Sequence, residues 1–326
     1  MNHSARAFAA GAALAAIIAL PAAAEDAASY PSKPIRVVIG FSAGSTVDTS
    51  ARFVGQKLSE SWKQQVIAEN RPSAGGIIAA QVVANAAPDG YTLLSVSASH
   101  AVAPAMYSKL PYDTVKDFAG ITTTVSVPAV LIVSPALGAR SVQDLIAMAK
   151  ARPGEVMFSS GGIGSATHFS AELFQSLATI NVQHVPYKGI PEAVSDAMLG
   201  RVHFMFSPVT NAIPLIRDGR LRALAVSPPR RLPVLPDVPT VIEAGVPGYQ
   251  WETWFGLLAP AKTPRPIVEK LNHEVTRILA LAETKERWNA IGAEPAPISP
   301  EAFDKYISEQ IVLFTKLARA ANIKAD

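Results

Sequence analysis

Two stretches of this chain, far apart in sequence, share one local pattern: an apolar run, a turn of glycine and serine, then apolar residues at helical spacing. In the first, Ile35-Arg36-Val37-Val38-Ile39 lies between Pro34 and Gly40. The turn is Gly40-Phe41-Ser42-Ala43-Gly44, and Ala51, Val54, Leu58 and Trp62 then recur at helical intervals. In the second, residues 156–159 lead into Ser159-Ser160-Gly161-Gly162-Ile163-Gly164-Ser165-Ala166-Thr167-His168, which opens a helix predicted over 165–177. Short apolar runs bounded by turn residues read as buried strands. Further strands are expected at 66–68, 91–96, 129–133, 182–185, 202–206 and 221–226, and helices at 75–87, 141–151 and 190–199. This alternation predicts an α/β fold with mostly parallel sheets flanked by helices. From Pro264 onward the spacing is helical, over 267–281, 284–291 and 300–320. Pro264 and Pro300 fall where a first helical turn tolerates proline. Residues 228–239, rich in proline, read as a surface connection, and Trp251 and Trp254 near Tyr249 as core or hinge packing.

Length and composition narrow the function. At 326 residues the chain suggests two domains, each able to bury a core. An apolar content of 49% with 17% charged residues excludes a disordered chain. The absence of cysteine excludes a disulfide scaffold and any Cys-ligated metal. No HExxH, no histidine pair at helical spacing and no carboxylate cluster occurs, so neither metal nor cofactor is expected. A net charge of +3 gives no footprint for nucleic acid. Arg6, the apolar run 9–20 and Pro21-Ala22-Ala23-Ala24 read as a secretory signal cleaved near Ala24, too short for a membrane span. A soluble, exported, periplasmic monomer is expected.

Gly40-Phe41-Ser42-Ala43-Gly44 matches the G-x-S-x-G elbow of serine hydrolases. A secreted hydrolase using Ser42 is therefore one reading. Against it, Ser42 follows the first strand, with nothing upstream to form an oxyanion loop and no later histidine clearly at a strand end. The better reading is an anion cradle. Ser45 or Thr46 caps the helix, Asp48 serves as a structural cap, and the free N–H groups of the helix start hold a carboxylate or phosphate. The second turn repeats the design with Gly162, Ser165, Ala166 and Thr167; His168 is expected either to donate to an anion or to sit in the core. No Gly-Lys-Ser/Thr follows, so it is no P-loop. One helix start contributes only about 0.3–2 kcal/mol to an anion, whereas micromolar affinity needs about 8 kcal/mol. Donors from both turns must converge in one cleft. Ser97, Ala98 and Ser99, with Tyr187 and Ser207, each at or just past a strand end, are further candidates for its lining; Lys188 reads as a solvated charge.

Several longer motifs add a resemblance. They are Tyr30-Pro31-Ser32-Lys33-Pro34-Ile35-Arg36, Glu69-Asn70-Arg71-Pro72-Ser73-Ala74-Gly75-Gly76, Ala87-Pro88-Asp89-Gly90-Tyr91-Thr92-Leu93-Leu94 and Leu235-Pro236-Asp237-Val238-Pro239-Thr240-Val241. Leu110-Pro111-Tyr112-Asp113, Leu221-Arg222-Ala223-Leu224-Ala225-Val226 and Trp254-Phe255-Gly256-Leu257 belong to the same set. From Tyr30 to its end the chain resembles the Bug-type receptors of the tripartite tricarboxylate transporter family. The resemblance implies a two-lobed periplasmic binding protein that closes like a flytrap on a small organic carboxylate and delivers it to a membrane permease. A sensor handing its ligand to a signalling partner has the same fold. Lobe 1 is expected at 25–125, lobe 2 at 126–227, and a return to lobe 1 at 228–326. In that family the loops matching Phe41–Thr46 and Gly161–His168 hold the carboxylate, often through waters. This chain departs from the usual Phe-Pro-Pro-Gly-Gly with Phe41-Ser42-Ala43-Gly44-Ser45, has Ser207 where Asp is frequent, and has Ala103 where Asn is common.

Overall fold

The computed structural model describes residues 27–187, 189–320 and 323. The predicted signal segment and Lys188 lie outside them. In chain order the elements are β1 (Ile35–Ile39), α1 (Thr46–Trp62), β2 (Val66–Asn70), α2 (Ile77–Ala84), β3 (Thr92–Ser97), α3 (Ser99–Met106), β4 (Phe118–Val133), α4 (Val142–Ala151), β5 (Met157–Ser160) and α5 (Ala166–Ala178). They continue with β6 (Gln183–Pro186), α6 (Ile190–Met198), β7 (Phe204–Pro208), α7 (Val209–Arg217), β8 (Arg222–Val226), β9 (Glu252–Pro260), α8 (Arg265–Ala280), α9 (Ala282–Asn289), β10 (Glu294–Pro295) and α10 (Pro300–Ala320).

The strands run β2-β1-β3-β9-β4-β7-β5-β6, with β8 and β10 also paired to β4. Both flanks are parallel: β1 pairs with β2 and β3, and β5 with β6 and β7. The centre differs from the mostly parallel expectation, because every pairing of β4 and the β3–β9 pairing is antiparallel. The reason is the 16-residue β4, which serves two neighbourhoods in turn. Phe118 to Pro128 pair with β9, whereas Ala129 to Val133 pair with β7 and β8. The chain returns beside the same point. The Ser227 N–H donates to the Ala129 carbonyl at 2.9 Å, its hydroxyl accepts from the Ala129 N–H at 2.8 Å, and Glu252 lies opposite Pro128.

Side-chain alternation divides the core between two faces. Val38, Leu94, Leu131, Val133, Phe158 and Phe204 bury on one side, and Val37, Ile39, Leu93, Val130, Ile132 and Met205 on the other. Helices cover both faces, so these strands read as continuous apolar runs instead of alternating ones. Trp251 and Trp254 are buried with Phe314 and Phe303, fastening α10 to the sheet.

Candidate functional site

The turns after β1 and β5 have one hydrogen-bonding pattern. Ser45 N–H donates to the Ser42 carbonyl at 3.2 Å, and Ser165 N–H to the Gly162 carbonyl at 3.1 Å. Ser45 caps α1 and Ser165 caps α5, their hydroxyls accepting from the N–H groups of Asp48 and His168, each at 3.3 Å. Gly44 and Gly164 precede the caps at φ +82° and +77°, a region that favours glycine. From the third helical position a side chain reaches back to that glycine. The Asp48 carboxylate accepts from Gly44 N–H at 2.9 Å, and His168 Nδ1 accepts from Gly164 N–H at 3.2 Å.

The anchors differ in chemistry. Asp48 is buried and also accepts from Arg52 Nε at 2.9 Å and Asn70 Nδ2 at 2.8 Å. Burial pushes its carboxyl up, but the bonds from Arg52, Gly44 and Asn70 outweigh that and hold it below the ordinary value. The Asn70 amide also donates to the Phe41 carbonyl at 2.9 Å, bracing the turn from behind. At the second turn the support is a stacked pair of imidazoles. The His168 and His184 rings lie 3.8 Å apart, with Phe158 against His184. His184 Nε2 bonds Ser160 Oγ at 2.6 Å, Ser160 Oγ accepts from Gly162 N–H at 3.1 Å, and Thr167 Oγ1 accepts from Gly161 N–H at 2.9 Å. Burial, then the neighbouring His168, pushes His184 down to about 3.

Several turn amides expected to be free are thus occupied by the protein itself: those of Gly44, Ser45, Gly161, Gly162, Gly164 and Ser165. A glycine turn needs internal partners to hold its shape. The N–H groups left without a protein acceptor among the described residues include those of Ser42, Thr46 and Val47 at the first turn. At the second they include those of Ile163, Ala166 and Thr167.

Both turns wall one cavity of about 530 Å³. Of the residues singled out by sequence, Phe41, Ser42, Ser99, Ala103 and Ser165 line it, with Gly161 and Gly164 of the second turn. Ser97 borders a small recess behind, its hydroxyl 2.8 Å from that of Ser99. Gly44, Ser45, Thr46, Gly162, Ala166 and Thr167 sit in the supporting turns without lining the cavity. His168 corrects the expectation of an anion donor. It is 4% exposed, with Nδ1 bonded to Gly164 and Nε2 3.4 Å from the Glu172 carboxylate, so neither nitrogen is available. Tyr187 turns away, donating to Asp196 on α6 at 2.7 Å. Ser207 is fully buried in β7 and donates to the Pro208 carbonyl at 3.2 Å. No histidine bonds Ser42 among the described residues, so the elbow reading lacks its base.

Sequence reasoning found one wall only in part. Ser99 and Ala103 were singled out; Val102 and Met106, which share their face of α3, and Tyr107, beside Pro72, Ser73 and Gly75, were not given a place in the cleft. The i, i+3, i+4, i+7 spacing of Ser99, Val102, Ala103 and Met106 was the available signal, obscured by Pro104 inside the helix. Gly40 permits the approach of this side: a Cβ there would meet the Gly76 backbone at 2.5 Å. A larger groove of about 740 Å³ between α4, α5 and α10 holds none of the predicted site residues.

A family model described as the tripartite tricarboxylate transporter family receptor matches residues 50–323. The Rhodopseudomonas palustris protein Rpa4515, solved with adipate, is 35% identical with a TM-score of 0.82, over 90% of this chain and 99% of that one. MatC from the same organism, solved with malate, is 32% identical with a TM-score of 0.77, over 88% and 99%. The periplasmic binding protein BugD is 31% identical with a TM-score of 0.79, over 90% and 100%. The chain belongs to the tripartite tricarboxylate transporter receptor family.

Proposed function

We propose that the protein captures a small organic carboxylate between its two glycine–serine turns and delivers it to a membrane permease. The observation that carries this reading is one cavity walled by two matching turns, each heading a helix whose first N–H groups lack a protein acceptor. Such helix starts attract anions. Relatives solved with adipate and malate support the carboxylate class, and the family supports a permease as recipient. The pairing switch at Pro128 and Ala129, with Ser227 beside it, supports lobes that divide near 126–227 and hinge where β4 and the returning chain cross. Receptors of this family are periplasmic; the signal is removed near Ala24 and the receptor works as a monomer.

Thermal unfolding with a panel of solutes tests the reading. A ligand at 100 times its Kd stabilises by about 2.7 kcal/mol. Organic acids should raise the melting temperature, and neutral sugars should not. A shift with sugars alone would overturn the anion cradle.

A further inference from the structure

One side chain bridges the two parallel flanks of the sheet beside the cavity. α3 follows β3 in one flank and the second turn follows β5 in the other, with β9, β4 and β7 between them. Met106, the last residue of α3, reaches across. Around a Cβ placed on Gly164, the three nearest atoms would be Met106 Cε at 3.3 Å, Cγ at 3.5 Å and Sδ at 3.8 Å. The thioether therefore lies along the bare Cα of Gly164. The two partners differ in stiffness. Gly164 is held from behind, its N–H given to His168 and its φ of +77° in the region that favours glycine. Met106 is unbranched and polarisable, a side chain that follows an irregular surface. Both residues line the cavity, yet Met106 is only 3% exposed.

We infer that Met106 on Gly164 is the clasp of the binding cleft: the contact forms as the flanks close over a ligand and parts before the ligand leaves. This rests on the two-lobed capture reading above, with its hinge at Pro128 and Ala129. Bending there separates α3 from the second turn, because β4 pairs with one neighbourhood before that point and with another after it. A contact made only in the closed form slows dissociation and leaves the encounter rate nearly unchanged. Opening also bares the Met106 thioether to solvent. Met205 is the natural reference. It is fully buried in β7 on the sheet face that holds Val130 and Ile132, inside one lobe, and hinge motion leaves it covered.

Peroxide footprinting of the purified protein reads the clasp directly. Peroxide transfers one oxygen to the thioether sulfur, giving the sulfoxide and water, at a rate that follows solvent access. Mass spectrometry of the ligand-free protein should find Met106 oxidised about tenfold faster than Met205, or more. Succinate, adipate and benzoate serve as probes. Any of them that raises the melting temperature should slow Met106 oxidation about fivefold and leave Met205 unchanged. Equal rates at Met106 and Met205 overturn the clasp, and so does a melting shift without protection of Met106. Failure of every acid to raise the melting temperature counts against the capture reading, whereas the Met106-to-Met205 ratio judges the clasp by itself. Stopped-flow binding of the same probes supplies the second readout. Met106→Ala should release the bound acid about tenfold faster and change the association rate less than about twofold. Met106→Leu nearly keeps the volume and secures the comparison if the alanine variant does not fold; it should release the acid about threefold faster. An unchanged dissociation rate in the folded variants would show that Met106 only lines the wall.

Discussion

The turn after β1 and the turn after β5 have the same backbone and opposite supports. At both, a serine caps the helix and a side chain one turn further on secures the glycine before the cap. At the first that side chain is an ionised carboxylate, tied to a guanidinium and an amide. At the second it is a buried imidazole in a stack. The geometry of an anion site is therefore separable from the charge of its scaffolding. Asp48 places a negative charge beside an anion cradle, tolerable because Arg52 neutralises it and Gly44 N–H absorbs one oxygen. The histidine turn needs no such compensation, but it becomes sensitive to protonation of His184.

The largest test removes the charged support. Asp48→Ala strands the Gly44 N–H and one of the two Asn70 amide N–H groups and leaves Arg52 bonded to Asn70 alone. Bonds to a charged group contribute about 1.5–3 kcal/mol each, discounted here because the Arg52 side chain is 48% exposed. Urea unfolding should show a loss of about 2–3 kcal/mol with unchanged m-value. A loss under 1 kcal/mol would mean that the first turn holds itself. His168→Phe is the matching test at the second turn. It keeps the aromatic stack but leaves the Gly164 N–H without its acceptor and buried Glu172 with the Gln175 amide alone, for about 1–2 kcal/mol. A cost exceeding that of Asp48→Ala would reverse the ranking of the two supports.

Acid should separate the turns. His184 titrates near 3 in the fold and near 6.5 when unfolded, so its stabilising effect is complete above pH 6.5 and is lost progressively as pH falls toward 3. Asp48 is held below its ordinary 3.8, so its effect persists above that pH and fails only as pH drops through its lowered native value. Between pH 6.5 and 4 the second turn weakens alone. Buried His100, pushed down to about 4, adds a slope of the same sign elsewhere, so the informative quantity is a difference. His184→Phe should flatten the stability-versus-pH curve by up to one proton in this window, and amide exchange should rise at Gly161–Ser165 before Gly44–Asp48. Simultaneous loss at both turns would show that they do not act independently.

What the sequence discloses follows from how local each feature is. The paired turns, Ser45 as a cap and Asp48 as a structural carboxylate are fixed by residues within one helical turn, and were readable. Asn70 as a partner of Asp48 was not, because it arrives from a neighbouring strand; Arg52, four residues on in the same helix, was within reach of local reading and was passed over. The first half of β4 was missed because Thr122, Thr123 and Thr124 look like a polar loop. They are buried, with Thr122 donating to the Ile298 carbonyl at 2.9 Å and Thr124 bonded to Ser50 at 3.0 Å. Such partners, remote in sequence, leave no periodic trace. β9 was lost for a related reason: its register on β3 and β4 is set across the fold. His168 has the opposite history. Its place in the motif left a ligand contact and a core position open, and its bond from Gly164 with its stack on His184 makes it a support.

The smallest effect separates ligand holding from turn building most cleanly. Ser42 and Gly162 occupy corresponding positions, each lending its carbonyl to the capping serine's N–H, yet only Ser42 carries a side chain. That hydroxyl has no protein partner and lines the cavity. Ser42→Ala should therefore leave stability within about 0.5 kcal/mol, because no internal bond is broken. Affinity for an organic acid should fall about three- to tenfold, the size of one hydrogen bond at roughly 1 kcal/mol. Ser165→Ala offers the contrast: it lines the same cavity but also caps α5, so it should lose about 1 kcal/mol of stability together with affinity. If Ser42→Ala destabilised as much as Ser165→Ala, the hydroxyl would belong to the scaffold and the two turns would differ less in role than in sequence.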